Sequence, residues 1–174
     1  MHAISVFRIV PVFVAAITLA GCILSQDALF DVAEAITPVA EGRYQEMARG
    51  ENNEFETVAT VTVTINGNVY TATGDDDRDP AMFTMYDGGN GLIITMVVED
   101  GEAGYALLRA VDGELLHWAA TCEVAGEIGI LADFPGVEDN EGNCIMPDRD
   151  TLIAFMTAYA AKVEPDYKYV PVAQ

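Results

Sequence analysis

The sequence predicts an α+β domain: an antiparallel β-meander of about six or seven strands, able to curl toward a barrel, with a C-terminal helix packed on one face. Three observations carry this reading. Phe55 to Ile65 alternates with a period of two and is rich in β-branched residues, the mark of a half-buried strand. Glycine-containing turn signals then recur at intervals of roughly ten residues. Finally, Leu152, Phe155, Met156 and Tyr159 share one helical face.

In chain order, Ala28 to Ala35 has the composition of a short helix that Pro38 ends. Arg43 to Met47 is the first strand candidate. In the next, Phe55, Thr57, Ala59, Val61, Val63 and Ile65 fall on one face, and Glu56, Val58, Thr60, Thr62 and Thr64 on the other. Asn66-Gly67 follows at once, a hairpin signal because both turn residues accept positive φ, and Asn68 to Thr73 resumes the pattern. Asp87 to Gly91 separates Met82–Tyr86 from Leu92–Val98. Glu99-Asp100-Gly101 and Asp112-Gly113 then bound the run Tyr105–Val111, and Leu115–Thr121 comes last. Leu92 to Val98 is apolar on both faces, which places it centrally, with a helix covering one side.

The pattern changes after Cys122. Glu123 to Phe134 reads as a short helix weakened by Gly126 and Gly129, and Pro135 to Asn143 as an acidic loop. Asp148-Arg149-Asp150 opens a helix that runs to about Lys162, its acidic first turn suited to the helix dipole. Glu164 to Gln174 is expected to be extended, with Tyr167, Tyr169 and Pro171 lying along the surface.

The N-terminus describes a removable secretory signal: Arg8, then the apolar stretch Ile9 to Thr18 interrupted by Pro11, then small residues. That stretch is shorter than the roughly 20 residues a spanning helix needs. Leu19-Ala20-Gly21-Cys22 resembles the cleavage and lipid-attachment box of bacterial lipoproteins at all four positions. The resemblance covers only the signal. It implies that Cys22 becomes the mature N-terminus and carries covalent lipid, anchoring the chain in the cell envelope. Ile23, in place of a retaining Asp, implies the outer membrane, facing the periplasm. The division that follows is 1–21 signal peptide, 22–41 lipidated N-terminus and tether, and 42–174 a single globular domain.

In that oxidising compartment Cys122 and Cys144 are the pair left over, and a disulfide is expected between them. The net charge of −20 excludes nucleic acid as a partner and favours cations or a basic envelope protein. Asp75, Asp77 and Asp79 form a weak candidate cation loop, but the EF-hand positions that should hold Gly and a carboxylate are Pro80 and Tyr86. No dedicated metal site or non-covalent cofactor is expected. His117 stands alone on its strand and reads as a packing or hydrogen-bonding residue. Ser25 is the sole serine after Cys22, so no catalytic residues are assigned. The expected function is a non-catalytic, membrane-anchored binding or structural module. The alternatives are an inhibitor of a basic cell-wall hydrolase such as lysozyme, or a carrier of a small apolar ligand.

Overall fold

The structure is a computed structural model and describes residues 23–75 and 79–173. Its centre is an antiparallel β-barrel of eight strands. These are β2 (Gly42–Arg49), β3 (Phe55–Asn66), β4 (Val69–Gly74), β5 (Ala81–Gly89), β6 (Leu92–Glu99), β7 (Glu102–Val111), β8 (Glu114–Trp118) and β11 (Tyr167–Pro171). Each pairs with the next in this order, and β11 returns to β2 to close the ring. Three short strands, β1 (Ile23–Ser25), β9 (Glu138–Asn140) and β10 (Asn143–Ile145), extend the sheet outside the barrel. They do so because β7 divides one edge between two neighbours: Ala103–Tyr105 pair with β1 and Leu107–Val111 with β8.

The count exceeds the expected six or seven strands chiefly because of β11. The tail read as a surface extension is instead the closing strand, with Tyr169 opposite both Glu46 and Leu115. A barrel leaves no unpaired edge, and the tail supplies the backbone donors and acceptors that β2 and β8 would otherwise expose.

Strand alternation gives the barrel two distinct faces. On β6, Leu92, Ile94 and Met96 point outward and Ile93 and Thr95 inward, and all five are buried. The outward face packs beneath α2 (Arg149–Lys162) through Leu152, Phe155, Met156 and Tyr159, with Trp118 and Tyr105 in the same cluster. Those four helix residues are at most 2% exposed, and burying each contributes about 1.5–3 kcal/mol. The Asp148 carboxylate caps α2, accepting from the Thr151 amide at 2.8 Å and its hydroxyl at 3.0 Å. These bonds hold its carboxyl below the usual carboxylate range.

Residues 23–41, expected as a tether, run along the domain. β1 lies between β7 and β10 with Ile23 fully buried. Phe30 stacks on Tyr86 with ring centroids 4.4 Å apart, and Arg149 covers its other side at 4.6 Å. The expected helix shrinks to one 3-10 turn at Val32–Glu34, capped by Asp31. Val39 then caps one end of the barrel, where the Tyr70 hydroxyl meets its backbone NH and CO.

Two local details depart from the sequence pattern. On β3 the pairing passes from Glu46↔Ala59 to Met47↔Thr57, so Val58 is an extra residue, a bulge. The bulge turns Phe55 and Thr57 to the outside, away from the Ala59–Ile65 face, and Phe55 there lies beneath Arg49 and Lys168. The β3–β4 hairpin turns at Gly67-Asn68, one residue later than expected, because Asn66 pairs with Val69. Only Gly67 has positive φ there, whereas Asn90-Gly91, Asp100-Gly101 and Asp112-Gly113 have it at both positions, as two-residue hairpin turns require.

The Cys122–Cys144 disulfide is present, with Cα atoms 5.0 Å apart and both residues buried. It joins the first residue of α1 (Cys122–Glu127) to β10. The acidic loop expected at 135–143 contains the β9 strand of the β9–β10 hairpin.

Candidate binding site within the barrel

The inward faces of the eight strands divide into two halves. At the end capped by Val39 the wall carries Tyr44, Tyr70, Phe83, Met85, Ile93, Leu108 and Leu115, which pack into one cluster. Toward the opposite end the inward register positions hold small residues. Ala48 faces Tyr167, Ala59 faces Glu46, Ala72 faces Ala81, Ala106 faces Thr95 and Gly104 faces Val97. Ala48, Ala72, Ala81 and Ala106 are only half-buried despite pointing inward. An eight-stranded barrel is just wide enough for large side chains to fill, or for one small ligand. The alanines narrow the apolar contribution of the wall at this end.

A polar chain lies where the two sets meet, with Tyr169 opposite Leu115 and packed against the apolar set, and His117 opposite Leu108. Glu46 on β2, His117 on β8 and Tyr169 on β11 come together because β11 lies between the other two strands. Glu46 is 2% exposed and His117 9%. The Tyr169 hydroxyl lies 3.3 Å from Glu46 Oε1 and 3.4 Å from His117 Nδ1. The His117 ring stacks on Tyr167 and Tyr169, at centroid distances of 5.5 and 6.0 Å.

Burial pushes the His117 pKa down to about 4, so the imidazole is neutral at pH 7. If Tyr169 donates its single proton to the Glu46 carboxylate, His117 Nδ1 must carry the proton toward Tyr169, and Nε2 is left as an acceptor. Burial raises the Tyr167 pKa, and the Glu46 and Asp166 carboxylates raise it further. Asp166 stands just before β11, where its carboxylate accepts from the Ala119 amide at 2.9 Å, and burial raises its pKa.

No protein-family model matches this chain, and no match was found among curated proteins or solved structures.

A cleft of about 320 Å³ opens at the capped end, lined by Pro38, Tyr44, Leu115, Pro171 and Val172 together with Arg43 and Glu114. Of the residues singled out in sequence, Cys22 and Asp77 lie outside the described residues. Asp75 accepts from the Thr60 amide at 3.1 Å, an ordinary turn contact, and Asp79 is exposed. Asp139 likewise accepts from the Gly142 amide at 3.0 Å within its hairpin. Among the described residues no group of three His, Cys, Asp or Glu is placed to hold a metal, and no helix is long and apolar enough to cross a membrane.

His117 takes the packing and hydrogen-bonding role that its sequence context suggests. Glu46, Tyr167 and Tyr169 were not legible as site residues. The available signal was phase: Glu46 alternates with Tyr44 and Ala48, so an acid occupies an inward position of a strand.

Proposed function

We propose that this chain is a non-catalytic binding protein of the cell envelope, anchored through lipid on Cys22, whose barrel holds one small ligand in its alanine-lined half. The supporting observation is the contrast between the two parts of the interior wall, one lined by aromatic and long aliphatic side chains, the other by the half-buried Ala48, Ala72, Ala81 and Ala106. The Glu46–Tyr169–His117 chain supplies the few polar groups that orient a ligand in a mostly apolar pocket. The lipid anchor keeps this binding activity at the membrane surface.

The test is methyl NMR on alanine-labelled protein comprising residues 23–174, titrated with benzyl alcohol as a small neutral probe. Saturable shifts concentrated on the methyls of Ala48, Ala72, Ala81 and Ala106 are expected. Shifts that are absent, or spread evenly over all alanines, would overturn the reading.

A further inference from the structure

We infer that the domain rests on a zwitterionic phospholipid surface through one fixed face, the lobe that the Cys122–Cys144 disulfide closes; the inference rests on the lipid anchor of the reading above and not on the barrel ligand. The N-terminus has no slack. Ile23 is fully buried, and its Cα is partnered at once by Tyr105 of β7 and Cys144 of β10. One peptide link joins Cys22 to Ile23, and consecutive Cα atoms are about 3.8 Å apart. Acyl chains on Cys22 therefore leave the domain no linker on which to stand off from the bilayer. Whatever surrounds the first residue of β1 meets the head groups.

That surrounding surface is the stretch from α1 to β10. β1 runs parallel to β10, so its N-terminal end points toward Asn143 and the Glu141-Gly142 turn. The disulfide brings the start of α1 to the same place, and Ala125 and Ile130 are buried in one cluster with Ile23. Other apolar residues of the lobe are only partly covered. Val124, Ile128, Leu131, Phe134 and Val137 pack on that cluster yet stay half-buried, and Ala132 is exposed among them. A strip of this kind suits the apolar side of a bilayer interface. Charge selects the lipid. Residues 110–148 hold no Lys or Arg, and Glu123, Glu127 and Asp133 are exposed on the lobe. An anionic surface repels such carboxylates, whereas the outermost charge of a choline or ethanolamine head group is a cation. In the ring of eight strands β3 stands opposite β7, so the wall carrying the exposed Val58 faces away from the membrane.

The test is tryptophan quenching by brominated phosphatidylcholine, with the mature lipidated chain reconstituted into vesicles of that lipid and of its unbrominated form. Trp118 is buried and donates to the Val163 carbonyl, so the wild type sets the baseline. Ala132→Trp places a reporter on the lobe and Val58→Trp one on the opposite wall. Asn140→Trp, on the exposed β9, is the second lobe reporter should Ala132→Trp not fold. The lobe reporter is expected to lose emission in brominated vesicles, and Val58→Trp to stay at the baseline. Mixing in phosphatidylglycerol at a constant share of brominated lipid should weaken the lobe quenching. Quenching at Val58→Trp as strong as at the lobe, or none at the lobe, would overturn the orientation while the anchor stands. Equal or stronger lobe quenching with phosphatidylglycerol would overturn the choice of lipid. An intact mass without acyl chains on Cys22 would overturn the anchor reading and this inference with it.

Discussion

The Tyr169 hydroxyl sits 3.4 Å from Nδ1 of His117. That contact spans the seam between β8 and β11, strands separated in sequence by two helices and the β9–β10 hairpin. It places a tail residue at the barrel wall and makes closure of the ring and assembly of the polar chain the same event. A chain lacking β11 would open the barrel and lose Tyr169 from Glu46 and His117 together.

The burial of His117 predicts a defined acid sensitivity. Its folded pKa of about 4 lies below the unfolded value of about 6.5, so in that window the unfolded chain binds the extra proton. The His117 contribution is therefore flat above about pH 6.5 and falls by up to roughly 3 kcal/mol as the pH drops to about 4, while the raised pKa of Asp166 acts in the opposite direction at the acid end. Asp148 and Glu34, whose pKa values are lowered by hydrogen bonds from Thr151 and Arg149, lose their contribution only at lower pH, near and below the ordinary carboxylate value. Urea midpoints from pH 7 to 4.5 should slope less in His117→Gln than in the wild type. Parallel slopes would show that His117 does not carry the effect.

Residues 23–41 are expected to be required for a stable domain. Ile23, Leu24, Phe30 and Val39 are each 5% exposed or less, and each burial is worth about 1.5–3 kcal/mol. Their sum rivals the whole stability of an ordinary domain. Near-UV circular dichroism and urea titration of 42–174 beside 23–174 should show the shorter chain losing fixed tertiary packing. A cooperative transition with an unchanged midpoint would mean that the segment is only a tether.

The disulfide should stabilise mainly through the unfolded chain. It closes a loop of 22 residues, for which chain entropy gives about 3 kcal/mol. The paired Cys122→Ala/Cys144→Ala variant is expected to lose about that amount in urea unfolding and to keep the wild-type fold, since α1 and β10 also pack through the surrounding cluster. Loss of cooperative unfolding in the double variant would give the bond a larger role than loop closure.

What could be read from the sequence follows from the range of the signals. Alternation and X-Gly turns are local, so the strands from β3 to β8 and their hairpins were legible, as were the Asp148 cap and the buried face of α2. The double burial of Leu92–Met96 was legible because both phases of the strand are apolar. The role of β11 was not, since Tyr-Lys-Tyr-Val-Pro reads equally as a surface extension or a closing strand, and only the free edges of β2 and β8 decide. The Val58 bulge was hidden because a single inserted residue leaves the alternating composition intact while reversing its phase. Glu46 was hidden for a related reason: an acid in a short strand reads as the solvent face until the ring closes around it.

The proposed ligand space at the alanine-lined end predicts a reversal of the usual cost of overpacking. Ala103 and Ala106 lie three residues apart on β7, yet Ala103 is fully buried among Ile23, Tyr105 and the α2 cluster, whereas Ala106 is half-buried and faces the alanine-lined half. Adding three carbons to a filled site forces neighbouring side chains and backbone to shift, at about 1–3 kcal/mol. Adding them to an unfilled site buries apolar surface against existing walls at little strain. Ala103→Leu is therefore expected to lower the urea midpoint, and Ala106→Leu and Ala72→Leu to leave it unchanged or raise it. The two pocket variants should also weaken benzyl alcohol binding, because the leucine occupies the ligand's volume. Comparable destabilisation by all three substitutions would mean that this half of the barrel is already packed, and would remove the physical basis for a ligand there.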